Sequence, residues 1–130
     1  IHLSTVLHER PNGLKYFLPA IVLTLLIAYF STRGGVSLPV DLMSIDKLEH
    51  FFAYFGLAVS FLWGFWKIAR LTNRTAWIVF FCCSLYGFGL EIIQYAYFPD
   101  RFFELLDIVA NICGAFAGLY LFRFFVNKTS

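Results

Sequence analysis

Four long apolar runs dominate the chain, and short polar stretches separate them. The runs cover roughly residues 14–30, 48–66, 77–98 and 103–126. Crossing about 30 Å of hydrocarbon takes about 20 residues of helix, so runs of this length are typical of transmembrane helices. The pattern predicts one all-α membrane domain over residues 1–130, folded as a compact four-transmembrane-helix bundle.

The stretch between the first two runs has a different character. Gly34, Gly35 and Pro39 disfavour a continuous helix over residues 31–45. We expect this segment to rest on the membrane surface or to cover a cleft, and the second helix to begin at Asp46. The first run is not followed by a small-residue cleavage pattern, so it is expected to be a retained span rather than a signal peptide.

The distribution of basic residues predicts the orientation. Four spans place both termini on the same side as the connection formed by residues 67–75. The basic residues on that side are Arg10, Lys15, Lys67, Arg70, Arg74, Arg123 and Lys128, whereas the opposite side has Arg33, Lys47 and Arg101. By the positive-inside rule, both termini are predicted to be cytoplasmic.

The composition is typical of a membrane protein and indicates which partners to expect. Hydrophobic residues make up 60% of the chain and charged residues 14%, against about 45–50% and about 25% in soluble domains. Membrane lipids are therefore expected partners, and a net charge of +2 gives no indication of nucleic acid. The three cysteines all lie in apolar runs, where they are expected to pack rather than to form disulfides or bind metal.

Polar residues gather at the predicted outer ends of three spans. The predicted helix directions bring three clusters to the outer leaflet: residues 46–50, residues 91–94 and residues 107–111. Ionisable side chains at membrane depth are costly and indicate a functional site. The expected result is one shallow, outward-facing polar pocket.

Helical spacing turns these residues toward each other. Residues three or four apart share a helix face, which groups the members of each helix as follows: Asp46, His50 and Tyr54; Glu91 and Gln94, with Gly87 and Tyr95 on the same face; and Asp107, Asn111, Gly114 and Gly118. The last two glycines form a GxxxG pattern, which allows close approach of another helix.

The residue types predict the roles. His50, Glu91 and Asp107 are the candidate catalytic residues, because an imidazole and two carboxylates suit acid–base chemistry. The candidate ligand-binding residues are Asp46, Lys47, Tyr54, Gln94, Arg101 and Asn111. Arg101 suits a phosphate or carboxylate. The same set could hold a divalent cation, but it lacks the compact spacing of a metal motif, so no metal site is assigned. The sequence leaves the cofactor unknown.

Several of these residues also have a structural alternative. Asp46 could cap the second helix, and Asp107 could only favour the positive end of the fourth helix. Lys47 could extend to water, and Asn111 could join two helices through a hydrogen bond. Tyr54 and Tyr95 could pack at the membrane interface. Glu49 and Glu104 are expected to be solvated surface charges.

Taken together, the motifs resemble the VanZ-like family of small bacterial membrane proteins. The resemblance rests on residues 46–55, residues 91–94, and Arg101 followed by the stripe of residues 107–118. Members usually have a small residue before the arginine, whereas this chain has Asp100. The resemblance implies a multi-pass protein of the bacterial inner (cytoplasmic) membrane and an association with teicoplanin resistance. It does not supply a biochemical activity.

Two functions from different classes remain, while a third, proton-coupled transport, is disfavoured because the inner halves of the spans lack polar residues. In the first, the pocket binds or acts on an anionic cell-envelope molecule, either lipid-linked or glycopeptide-like. In the second, the protein is a non-enzymatic structural or partner protein whose polar residues lock the bundle. The sequence leaves open whether the protein is an enzyme.

Overall fold

The computed structural model describes residues 10–31, 40–97 and 105–129, and these contain helices but no strand. A 3₁₀ segment, Arg10–Phe17, leads into α1, and the four α-helices are α1 (Leu18–Ser31), α2 (Val40–Lys67), α3 (Asn73–Tyr97) and α4 (Leu105–Thr129). The segments long and apolar enough to cross a membrane are Gly13–Ser31, Lys47–Lys67, Asn73–Tyr97 and Leu105–Val126. The prediction of an all-α fold with four candidate spans is confirmed.

Helix α2 begins earlier than the sequence pattern predicts. It starts at Val40, directly after Pro39 in the sequence, and proline suits the beginning of a helix better than its interior. The prediction that the helix begins at Asp46 is therefore wrong, and so is the alternative that Asp46 is its N-cap. Residues 40–45 are helical rather than an irregular surface segment, while residues 32–39 lie outside the described residues.

Hydrogen bonds in the turn between α2 and α3 explain where α2 ends and where α3 begins. Ala69 has a φ of 57°, and Arg70 N–H donates to the Phe65 carbonyl at 2.8 Å, as in the common left-handed ending of a helix. The hydroxyl of Thr72 accepts a 3.1 Å hydrogen bond from the Thr75 backbone N–H. This capping contact starts α3 at Asn73, four residues before the predicted beginning of the span.

Helix α2 lies at the centre of the bundle and packs most extensively on α4. A Cβ atom on Gly114 would collide with the Phe51 carbonyl oxygen, and one on Gly118 would lie 2.9 Å from the Phe55 carbonyl oxygen. The two backbones therefore approach closely, as the GxxxG pattern predicts.

Helix α1 packs at the edge of the bundle, where its buried side chains are Ala20 and Ile27. A side-chain hydrogen bond helps to hold it, because Tyr86 on α3 donates to the Thr24 carbonyl at 2.6 Å. Hydrogen bonds that satisfy polar groups between helices are a general way to join membrane helices.

Basic and aromatic residues meet at the end of the bundle that carries the α2–α3 turn. Lys67 Nζ lies 5.4–6.0 Å from the ring centroids of Tyr16, Trp63 and Trp66. Arg123 on α4 donates a hydrogen bond to Asn73 at the start of α3. Such a mixture of rings and cations is typical of a membrane interface. That this end is cytoplasmic stays a prediction.

Candidate functional site

Four polar side chains are buried at the opposite end of the bundle. Glu91 and Gln94 on α3, and Asp107 and Asn111 on α4, are each only 3–4% exposed. Their spacing explains this burial, because each pair lies three or four residues apart on one helix face. All four were predicted to face the interior, and the structure places them there.

Asp107 connects α4 to α2. Lys47 Nζ donates to Asp107 Oδ1 at 2.5 Å, and His50 Nε2 lies 3.6 Å from Asp107 Oδ2. The Asp107 side chain is 6% exposed, against 22% for Lys47 and 19% for His50. A carboxylate at such a depth is costly unless paired. The ammonium group of Lys47 therefore pairs with Asp107. The structural alternative, in which Lys47 only extends to water, does not include this contact.

The second layer of the site lies one helical turn further along α2 and α4. A Cβ atom on Gly87 would lie 2.8 Å from Asn111 Nδ2 and 3.0 Å from the Tyr54 ring, so both side chains pack on this glycine. Tyr54 is buried and belongs to the apolar core. The absence of a side chain at Gly87 thus brings α2, α3 and α4 together.

Asn111 differs from Asp107 and Gln94 in its hydrogen bonding. Its Oδ1 atom is buried and has no hydrogen-bond partner among the described residues. A buried acceptor without a partner is uncommon in folded proteins and requires an explanation.

Gln94 faces α1 and donates from Nε2 to the Ser31 carbonyl at 2.6 Å. This bond gives Gln94 a contact that joins α1 and α3, and its predicted ligand contact stays a prediction. Tyr95 does not share the buried face as expected, since it is 63% exposed. It follows Gln94 directly, and one residue rotates the position by about 100° around a helix.

Two predicted site residues cannot be placed. The side chain of Asp46 and the whole of Arg101 lie outside the described residues, as does Glu104, so their roles stay predictions. Glu49 is exposed, as predicted. Within the part of the chain that the structure describes, no group of three or more His, Cys, Asp or Glu side chains is arranged to hold a metal ion.

Sequence reasoning missed several polar partners. The Ser31 and Thr24 carbonyls accept the bonds from α3, and Ser84 Oγ on α3 is buried without a partner among the described residues. Ser84 precedes Gly87 and Glu91 by three and seven residues, a helical spacing that could have linked it to their face. Nothing in the sequence pattern indicates the two carbonyls.

Asp107 and His50 form an arrangement with recognisable chemistry. A carboxylate that accepts a hydrogen bond from one imidazole nitrogen orients the ring, while the other nitrogen can exchange a proton with a ligand. The 3.6 Å separation exceeds a hydrogen bond, and such contacts often tighten when a ligand binds.

A family model described as VanZ/LLP1 matches residues 12–126, which include all four candidate spans and every candidate site residue. The chain belongs to the VanZ/LLP1 family. The resemblance inferred from the motifs is confirmed, and with it a multi-pass membrane protein whose particular membrane stays a prediction.

The chain also has a eukaryotic relative. It is 33% identical over 102 residues to a Schizosaccharomyces pombe protein named "Uncharacterized protein C11E3.10". The match covers 78% of this chain and 58% of that protein, so the chain spans less than two thirds of its length. No solved structure matches the chain. The bacterial origin implied by the resemblance therefore gains no support from this relative.

Proposed function

We propose that this VanZ/LLP1 protein binds or acts on an anionic, lipid-linked cell-envelope molecule at the level of the lipid headgroups. The buried Asp107 that faces both Lys47 and His50 is the observation that carries the proposal. The pair with Asp107 fixes Lys47 at the rim of the site, and His50 lies beside the same carboxylate. Lys47 and His50, both partly exposed, are then the groups that meet the ligand.

The location of these groups favours a lipid-linked ligand. They lie near the end of helices whose outer surfaces carry large exposed apolar side chains, including Phe52 on α2 and Ile92 on α3. A lipid-linked ligand places its apolar tail against these side chains and its anionic head beside Lys47 and His50. Lipids of this kind reach the site from within the membrane.

Native mass spectrometry in detergent micelles tests the proposal. We expect the protein to retain phosphatidylglycerol in preference to phosphatidylcholine, and Lys47→Gln to lose most of this preference. The matched control is Lys67→Gln, which removes a lysine from the other end of the same helix and should keep it. If both variants lose the preference equally, lipid binding is a general property of the charged interfaces and the proposal is wrong.

The same site is proposed to support teicoplanin-type resistance in a bacterial host. We expect expression of the protein to raise the minimum inhibitory concentration of teicoplanin, and Glu91→Gln or His50→Ala to remove this increase. Membrane levels of the variants, measured by immunoblotting, provide the control. An unchanged inhibitory concentration in both correctly inserted variants would contradict this part of the proposal.

The second candidate function is structural, and two contacts favour it. The Lys47–Asp107 pair joins α2 to α4, and the Gln94–Ser31 bond joins α3 to α1. A protein that uses its polar residues only to lock the bundle should lose thermal stability in Asp107→Asn and Gln94→Leu. Its retention of phosphatidylglycerol would be the same as that of the unmodified protein.

A further inference from the structure

The buried oxygen of Asn111 is the polar atom that the proposed function leaves unexplained. Asn111 is 3% exposed, and its Oδ1 has no hydrogen-bond partner among the described residues. Removing an amide oxygen from water without a compensating donor destabilises a fold. An apolar side chain of similar size would avoid this penalty, so the amide is poorly suited to a purely structural role.

The surroundings of Asn111 place this oxygen at the inner end of the candidate site. Asn111 follows Asp107 by one turn on the same face of α4, a separation of about 6 Å along the helix. Its Nδ2 atom packs at Gly87, where a Cβ would lie 2.8 Å away. Asn111 therefore lies deeper along α4 than the Asp107 carboxylate that faces Lys47 and His50.

The charge of the proposed ligand indicates which donor the oxygen accepts. An ammonium group would cancel the charge of a headgroup phosphate and make the lipid zwitterionic rather than anionic. A neutral hydroxyl keeps the headgroup anionic and donates one hydrogen bond to an amide oxygen.

We propose that Asn111 Oδ1 is the inner acceptor of the site and receives a hydroxyl group of an anionic lipid headgroup. The inference rests on the proposed function, and it narrows the ligand class to phosphodiester lipids that carry an alcohol. The negative phosphodiester lies at the rim with Lys47 and His50, and the alcohol points along α4 to Asn111.

Two lipids with the same charge and acyl chains test the inference. Phosphatidylglycerol carries free hydroxyls, whereas phosphatidylmethanol has the same phosphodiester and none. In competition measured by native mass spectrometry, we expect the unmodified protein to prefer phosphatidylglycerol by about fivefold, the size of one net hydrogen bond. Equal retention of the two lipids overturns the inference, because the lipid hydroxyl then binds Asn111 Oδ1 no better than water does. The proposed function is unaffected by that result.

Substitution of Asn111 provides a readout that a structural role would not give. We expect Asn111→Leu to abolish the preference for phosphatidylglycerol and to raise the melting temperature, because the unpaired acceptor is gone. Cys113→Leu, at an exposed position on the same helix, is the control and should keep the preference. A lower melting temperature with an intact preference identifies Asn111 as a contact between helices and overturns the inference. If neither lipid binds more tightly than phosphatidylcholine, the proposed function fails as well.

Discussion

At the scale of single residues, Asp107 decides how the site is organised. Its carboxylate is almost completely buried, and its two oxygens face different side chains of α2. Pairing with Lys47 offsets the loss of hydration, and the remaining exposure of Lys47 keeps that lysine in contact with water. Asp107 thereby holds Lys47 at a defined position on α2 and lies beside His50.

Asp107→Asn should reduce the free energy of unfolding by about 1–3 kcal/mol. The value lies below that of a fully buried pair because Lys47, once unpaired, can turn toward water. Thermal unfolding in detergent, followed by circular dichroism, measures the change. Glu49→Gln removes an exposed carboxylate from α2 and serves as the control with no expected effect. Equal melting temperatures for the two variants would show that the ion pair contributes nothing to stability.

Gly87 has an equally local role, because it leaves room for Asn111 and Tyr54. Gly87→Ala should destabilise the protein by about 1–3 kcal/mol, since the new methyl group displaces both side chains. Gly89→Ala is the matched control on the same helix, because a Cβ there meets nothing within 4 Å. The control should be neutral or stabilising by up to about 1 kcal/mol. Similar melting temperatures for both alanine variants would contradict the packing described around Gly87.

Sequence reasoning succeeds for residues whose position depends on helical spacing. The intervals from Asp107 to Asn111 and from Glu91 to Gln94 are sufficient to predict their shared burial. The partners across helices are less predictable, because they depend on how the helices cross. The Ser31 carbonyl that binds Gln94 is an example, since every residue has such a carbonyl and no side chain marks this one.

At the scale of helices, the small residues of α4 set its distance from α2. The pattern of Gly114 and Gly118 predicts close approach, but only the structure identifies the carbonyls of Phe51 and Phe55 as the surfaces they meet. The beginning of α2 was harder to predict. Two glycines and a proline suggested an irregular segment up to residue 45, whereas the helix includes everything from Val40 onward.

Gly114→Ala should force α2 and α4 apart and lower the free energy of unfolding by about 3 kcal/mol or more. The methyl group meets backbone atoms, which cannot rotate away as a side chain can. Gly56→Ala on α2 is the control, because a Cβ there would lie 3.7 Å from Leu23, an ordinary contact. Melting temperatures in detergent compare the two. A Gly114→Ala variant as stable as the control would show that the helices are less closely packed than described.

At the scale of the whole molecule, the two ends of the bundle have opposite characters. One end contains the buried carboxylates, and the other contains Lys67 surrounded by aromatic rings and the bond from Arg123 to Asn73. The number of spans could be predicted from hydropathy alone. The sequence could also predict which residues share an end, because four antiparallel spans leave little freedom.

The predicted orientation in the membrane rests on the distribution of basic residues and can be measured. We expect a cysteine placed at Arg70 to be protected from a membrane-impermeant maleimide in intact cells, and one placed at Glu49 to be labelled. The background is a variant in which Cys82, Cys83 and Cys113 are replaced by alanine. Both engineered sites should react after the membrane is permeabilised. The reverse pattern would place the termini outside and the polar site in the cytoplasmic leaflet.

The cluster of rings around Lys67 would make the proposed lipid binding sensitive to the thickness of the bilayer. Lys67 and Lys47 are separated by 20 residues of α2, about 30 Å, which equals the depth of a typical hydrocarbon core. Because the aromatic end is fixed at one interface, longer acyl chains would draw Lys47 and His50 below the opposite headgroups. Membranes of different lipid length would then control how much of the polar site a ligand can reach.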